Sequence, residues 1–325
     1  MKQAIETREV ITLDGPNGVV RGTYHRTRND ISGSTSNAIT RIRVGVLFLP
    51  GLAATRAADG DAAVYWADSF AEQGYPTFRL DLPGFGDSDG DPPTEFLDFI
   101  NLGELAPVVS ETITELVARF NLTGMVVAGH CAGAVSAVFA AAANQECRGL
   151  ILMDPYFHLP PKIKQQKIRR KLNTWSLRSS FGGFLSRVLD LLKEIRLFLY
   201  GNKLPANANV SLLRRWKELA STGLPILIIK APGRKAHGLK AKVGEFNYLE
   251  YALGLAGSRS QAVAKLVEGS NHGFSNSLGR SAVMKLTVDW LNTRFPQTEC
   301  RDSGTNTLLS VPAVGRVGMT ITSRV

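Results

Sequence analysis

Apolar and polar positions alternate with two different periods along this chain, and the periods change in a regular order. Residues 7–24 alternate around the turn Asp14-Gly-Pro-Asn-Gly18, which predicts a β-hairpin. RIRVGVLFLPG (41–51) is a continuous apolar run ending in glycine, as a strand buried on both faces requires. Ala63, Trp66, Ala67 and Phe70 then recur at helical spacing over residues 61–74, with Gly74 as the stop. YPTFRLDLPG predicts the next strand, and Leu105, Val109, Ile113 and Leu116 predict a helix over about residues 102–120.

The same grammar continues. TGMVVAGHCAGAVSAVFAAAA reads as strand, sharp turn and helix, and RGLILMDP (148–155) as a strand. LPILIIKAPG (224–233) predicts a further strand and residues 243–255 a helix. AVAKLVEGSNHGF holds a short strand with its exit loop, and a last helix spans about residues 279–294. Strands that alternate with helices imply a mostly parallel sheet with helices on both faces. The tail, residues 297–325, shows no period and receives no role.

Composition narrows the picture. At 44% apolar and 20% charged residues the chain is globular, and no run reaches the ~20 apolar residues of a spanning helix. The N-terminal segment lacks the apolar core of a secretory signal, so a cytoplasmic protein is expected. Three cysteines, Cys131, Cys147 and Cys300, are too few and scattered for a disulfide framework, and their spacing suits no metal site. The net charge of +10 is concentrated: residues 155–222 carry fourteen Lys and Arg against Asp190, Glu194 and Glu218.

The chemistry gathers at Gly129-His-Cys-Ala-Gly133, a strand-to-helix turn with the spacing of a nucleophile elbow but a cysteine at its centre. Small neighbours permit so tight a turn. The following helix would set the thiol at its positive end, where a thiolate is favoured. An inert buried cysteine is the bland alternative. Five segments occur in register: RLDLPGFGDSDG (79–90), AGHCAG (128–133), LILMDP (150–155), LPILIIKAPG (224–233) and GSNHGF (269–274). In this they resemble the α/β-hydrolase superfamily over about residues 10–295.

The resemblance implies an α/β-hydrolase fold with a mostly parallel central sheet. The catalytic domain would be 1–155 with 223–296, and 156–222 a basic helical cap insertion. It implies Cys131 as nucleophile and His272, in GSNHGF, as base; His130, His25, His158 and His237 are weaker candidates. The acid departs from the pattern, because the loop after 224–231 holds none before Glu245. Glu245 is preferred slightly over Asp154, at the end of the preceding strand. The backbone N–H groups of Leu52 and Ala132 would form the oxyanion hole, with Pro50-Gly51 standing where His-Gly is usual. Asp81 and the GFGDSDG loop would brace the turn. GDSDG (86–90) with Phe96 and Phe99, beside a cysteine elbow, is also similar to hydrolases encoded with exosortase systems.

Together these predict ester or thioester hydrolysis through an acyl-cysteine, with no metal or organic cofactor. A Cys–His pair depends less on its acid than Ser–His does, because it can ionise to thiolate and imidazolium. Transfer of the acyl group to an amine or alcohol, and a non-catalytic binding protein that keeps the pocket, are the alternatives. The basic cap would face a small acyl substrate linked to CoA or to an acidic carrier protein, or a membrane surface. Basic residues without interleaved aromatics argue against nucleic acid.

Overall fold

The computed structural model describes residues 7–15, 18–31, 43–52, 54–159, 204–232 and 247–297. The predicted hairpin forms as β1 (Arg8–Gly15) and β2 (Gly18–His25), followed by a single turn α1 (Arg28–Ile31). The alternating period then gives β3 (Val44–Leu49), α2 (Ala62–Glu72) and β4 (Thr77–Leu80). A short helix that the spacing does not predict, α3 (Phe96–Asn101), comes next, and the helix expected over about 102–120 forms as α4 (Ala106–Arg119). Gly103 separates them at φ 77°, and a Cβ there would lie 2.6 Å from the Phe139 ring. The phenyl ring occupies the space a side chain would take, so the chain reverses rather than continuing as helix.

β5 (Gly124–His130), α5 (Ala132–Ala141) and β6 (Cys147–Met153) follow. After them come α6 (Val210–Ser221), β7 (Pro225–Lys230), α7 (Tyr248–Leu255), β8 (Gln261–Leu266) and α8 (Ser277–Arg294). Among the described residues the strands form one sheet in the order β1-β2-β4-β3-β5-β6-β7-β8. The hairpin is antiparallel to β4, and the strands from β4 to β8 in that order run parallel.

β3 and β5 are buried at every position because helices cover both faces. One face packs Leu47, Val127, Leu150 and Ile226 under α4, α5 and α6; the other packs Phe48, Val126, Ile151 and Leu227 under α2 and α8. Burying each such side chain contributes about 1.5–3 kcal/mol, so these two layers dominate the stability.

The amphipathic α6 begins at an Asn209 cap and buries Leu212, Leu213, Trp216 and Leu219 in the first layer. Trp216 donates its indole N–H to the Ala252 carbonyl at 2.6 Å. Residues 210–221 therefore act as the crossover helix between β6 and β7, although their charge groups them with the cap. The basic core of the expected cap, 160–203, lies outside the described residues, as does the tail beyond Gln297. No described helix is long and apolar enough to cross a membrane.

Candidate active site

Parallel strands deliver their following loops to one edge of the sheet, and adjacent strand ends lie side by side there. β5 ends at His130 and α5 starts at Ala132, so Cys131 alone must turn the chain. It does so at φ 52°, ψ −110°, a conformation that costs on the order of 1–3 kcal/mol and persists only where the surroundings enforce it. The enforcement is steric. A Cβ on Gly129 would stand 2.3 Å from the Gly133 carbonyl, and one on Gly133 would stand 2.4 Å from the carbonyls of Leu49 and Pro50. The Cys131 N–H is fixed on the Met153 carbonyl of β6 at 2.8 Å. The side chain keeps intermediate exposure at the N-terminus of α5.

One strand over, Asp154 follows β6 at φ 46° and donates its N–H to the Ile229 carbonyl at 2.7 Å. The loop after β8 is tied back by Val267 N–H on the Lys230 carbonyl and anchored by fully buried Phe274. Asn276 then caps α8 through the Gly279 N–H. Between those anchors His272 is presented to its neighbours. Its Nδ1 hydrogen-bonds Asp154 Oδ2, and its ring also interacts with the Cys131 thiol.

The hydrogen bond to Asp154 and then the interaction with Cys131 raise the proton affinity of His272, against the opposing effect of burial, to a pKa of about 9. Burial alone would push Asp154 up, but the hydrogen bond from His272 and the charge of Lys230 outweigh it and hold the carboxyl below its ordinary value.

His130 is the counterpoint. Its ring lies 4.8 Å from that of His272, yet burial and then the charge of His272 push its pKa down to about 4. Kept neutral, it donates Nε2–H to the His272 backbone carbonyl at 2.8 Å and so clamps the loop that carries its neighbour.

The opposite wall is built from the β3 exit. Leu52 is exposed, and among the described residues neither its N–H nor that of Ala132 meets an acceptor. This exit is held by Arg56, whose guanidinium pairs with fully buried Asp81 and with Asp87, and whose N–H bonds Asp81 Oδ1 at 2.6 Å. The GFGDSDG loop closes over the same carboxylate through Asp87 N–H, and Ser88 donates to the Asp81 carbonyl.

The sequence-derived residues thus divide clearly. Cys131, His272 and Asp154 come together; Glu245 and His237 lie outside the described residues. His25 is buried on the far side against Asp68 and Arg79. Sequence reasoning missed Lys230, Arg56 and the clamp by His130. Lys230 carried a signal, as a lone cation at the end of an apolar strand. No group of three or more His, Cys, Asp or Glu among the described residues could hold a metal ion. A groove of about 570 Å³ between α2 and α8, lined by Tyr65, Asp68, Glu72 and Met284, includes none of these groups.

Comparison with known proteins gives the same architecture. A family model described as alpha/beta hydrolase fold matches residues 45–189. No curated protein matches the chain. Among solved structures, an esterase from Pyrococcus furiosus superposes with a TM-score of 0.56 at 12% identity, over 89% of this chain and 91% of its own. TT1662 from Thermus thermophilus gives 0.52 at 15%, over 89% and 99%. An alpha-beta serine hydrolase homologue from Coxiella burnetii gives 0.50 at 15%, over 87% and 99%. At such identities the likeness is one of fold.

Proposed function

We propose that this chain, which has the α/β-hydrolase fold, is a hydrolase that cleaves an ester or thioester through an acyl-cysteine. One observation carries the reading: the exits of β5, β6 and β8 on one edge of the sheet bring a strained elbow thiol, an imidazole and a carboxylate together, with His272 bonded to Asp154 and interacting with Cys131.

The geometry supports the following roles. Asp154 fixes the His272 tautomer by accepting from Nδ1, which turns Nε2 toward the thiol. With its proton affinity raised, His272 takes the Cys131 proton and holds it as an imidazolium beside the thiolate. The thiolate attacks the acyl carbon, and the oxygen charge that develops falls to the N–H groups of Leu52 and Ala132. His272 then protonates the departing alkoxide or thiolate. Water, deprotonated by the same imidazole, cleaves the acyl-cysteine and returns the site to its starting state. Asp154 rather than Glu245 serves as the orienting acid in this reading, since its carboxylate already engages His272.

The test is intact mass after incubation with a panel of acyl thioesters and activated esters of graded length. An acyl adduct on the Cys131 peptide, absent in Cys131→Ala, is expected. Absence of adduct and turnover across the panel sinks the proposal in favour of a non-catalytic binding protein. Loss of adduct only on adding an amine or alcohol shifts it to acyl transfer.

A further inference from the structure

The sheet register places a second charged residue against the acid. Met153 of β6 pairs with Ile229 of β7, so Asp154 and Lys230 each stand one residue beyond that pair on neighbouring strands. Both ends of Lys230 are fixed: its carbonyl accepts from Val267 and its ammonium reaches Asp154 Oδ1 and, at 3.5 Å, the Pro155 carbonyl. The contact with Oδ1 is an ion pair without good hydrogen-bond alignment, whereas Oδ2 faces His272. The Asp154 side chain is only 13% exposed, so this carboxylate meets two cationic partners with little water between them.

We propose that Lys230 is a positioning residue that holds Asp154 ionised with Oδ2 turned to His272. The inference rests on the reading of Cys131, His272 and Asp154 given above and deepens it. The charge count explains the need. A thiolate, an imidazolium and a carboxylate sum to −1 in a half-buried site, which is costly to keep dry. The ammonium brings the sum to zero. By occupying Oδ1 it also leaves Asp154 one orientation in which the second oxygen is free for the imidazole. Among the described residues no hydrogen bond or ion pair joins Lys230 to the thiol or the imidazole, so it acts through Asp154.

Other titratable groups face this pair. Cys131 and His130 lie at the β5 exit, Tyr156 and His158 beyond β6, and His272 after β8; the Tyr248 ring of α7 lies tilted against His158 at 5.4 Å. Burial lowers the proton affinity of His158, and the charge of Lys230 lowers it further. A His158→Gln control, expected to leave the profiles below unchanged, removes its titration from them.

The experiment compares the parent with Lys230→Met and Lys230→Arg in the full chain, with circular dichroism confirming the fold. Two pH profiles are recorded from pH 5 to 10. One is the rate of iodoacetamide alkylation on the Cys131 peptide; the other is kcat/KM for p-nitrophenyl acetate and a short acyl thioester. Removing the cation raises the proton affinity of every group in the chain. Both profiles should therefore move to higher pH by about one unit in Lys230→Met. Turnover near pH 7 should fall about tenfold, mainly in kcat, and Lys230→Arg should restore both. A folded Lys230→Met protein with unmoved profiles overturns the proposal, as does Lys230→Arg behaving like Lys230→Met. If the parent turns over neither probe but its alkylation profile still shifts in Lys230→Met, the hold of Lys230 on Asp154 stands and acyl cleavage falls. If the parent turns over the probes and neither profile shifts, acyl cleavage stands and the hold of Lys230 falls.

Discussion

Two aspartates stand at strand exits on the same edge of the sheet, each with a cation against it, and they have opposite characters. Asp81, just past β4, is fully buried, and both its oxygens are taken by Arg56 and by fixed backbone N–H groups of Arg56 and Asp87. Asp154, just past β6, gives one oxygen to Lys230 and the other to an imidazole that can gain or lose a proton. The difference lies in the partner. A carboxylate satisfied by donors that never titrate fastens two loops together. One whose partner titrates passes its charge on to that partner's chemistry. Two histidines 4.8 Å apart also take opposite characters: burial and then the charge of His272 push the proton affinity of His130 down, while the bond to the Asp154 carboxylate raises that of His272.

The comparison can be broken at several points. The largest effect is expected from His272→Ala, which removes the imidazole joined to both thiol and acid. Turnover of a cleavable ester should fall by about 10²–10⁴ with the fold intact, measured as kcat/KM. Retention of most activity would leave the Cys131–His272 pairing without function.

Asp154→Asn comes next. It removes the main cause of the raised His272 pKa, so the alkaline limb near pH 9 should move down toward the ordinary histidine value of 6.5. Turnover should fall by about 10–100-fold, less than for His272, because a thiol nucleophile leans less on its acid.

Asp81→Asn should do the reverse. Leaving the Arg56 guanidinium half-buried without its carboxylate costs about 2–3 kcal/mol of stability, below the 3–5 of a fully buried pair because Arg56 keeps 20% exposure. Denaturant unfolding reads the loss, and the pH limbs of the surviving activity should stay in place. A moved limb would make Asp81 part of the titrating chain.

The smallest effect is on the pH dependence of stability. The folded pKa of His272 lies above its unfolded value, so its contribution is complete below about pH 6.5 and is lost as pH rises through about 9. In Asp154→Asn most of that slope should vanish from urea midpoints taken between pH 6 and 10.

Much of this was legible in the chain itself. Apolar runs such as VGVLFL and GMVVAGH can be satisfied only by strands covered on both faces, and the helical spacing between them supplies the covers. The glycines flanking Cys131 announce the elbow, because no other residue lets three backbones approach so closely. The turn at Gly103 between α3 and α4 was hidden, since the ring that fills its space comes from Phe139 on another helix.

The carboxylate that lies beside His272 was equally hidden. Glu245 and Asp154 are both carboxylates ahead of the same histidine, and periodicity says nothing about which strand end lies beside which. That follows from the order β5-β6-β7-β8 and the register of Met153 on Ile229, which set Asp154 between His272 and Lys230. Sequence determines which groups can ionise, because that is a property of the side chain. Which of them do so at a given pH depends on neighbours a few ångströms away and more than a hundred residues distant, and only the folded sheet decides those.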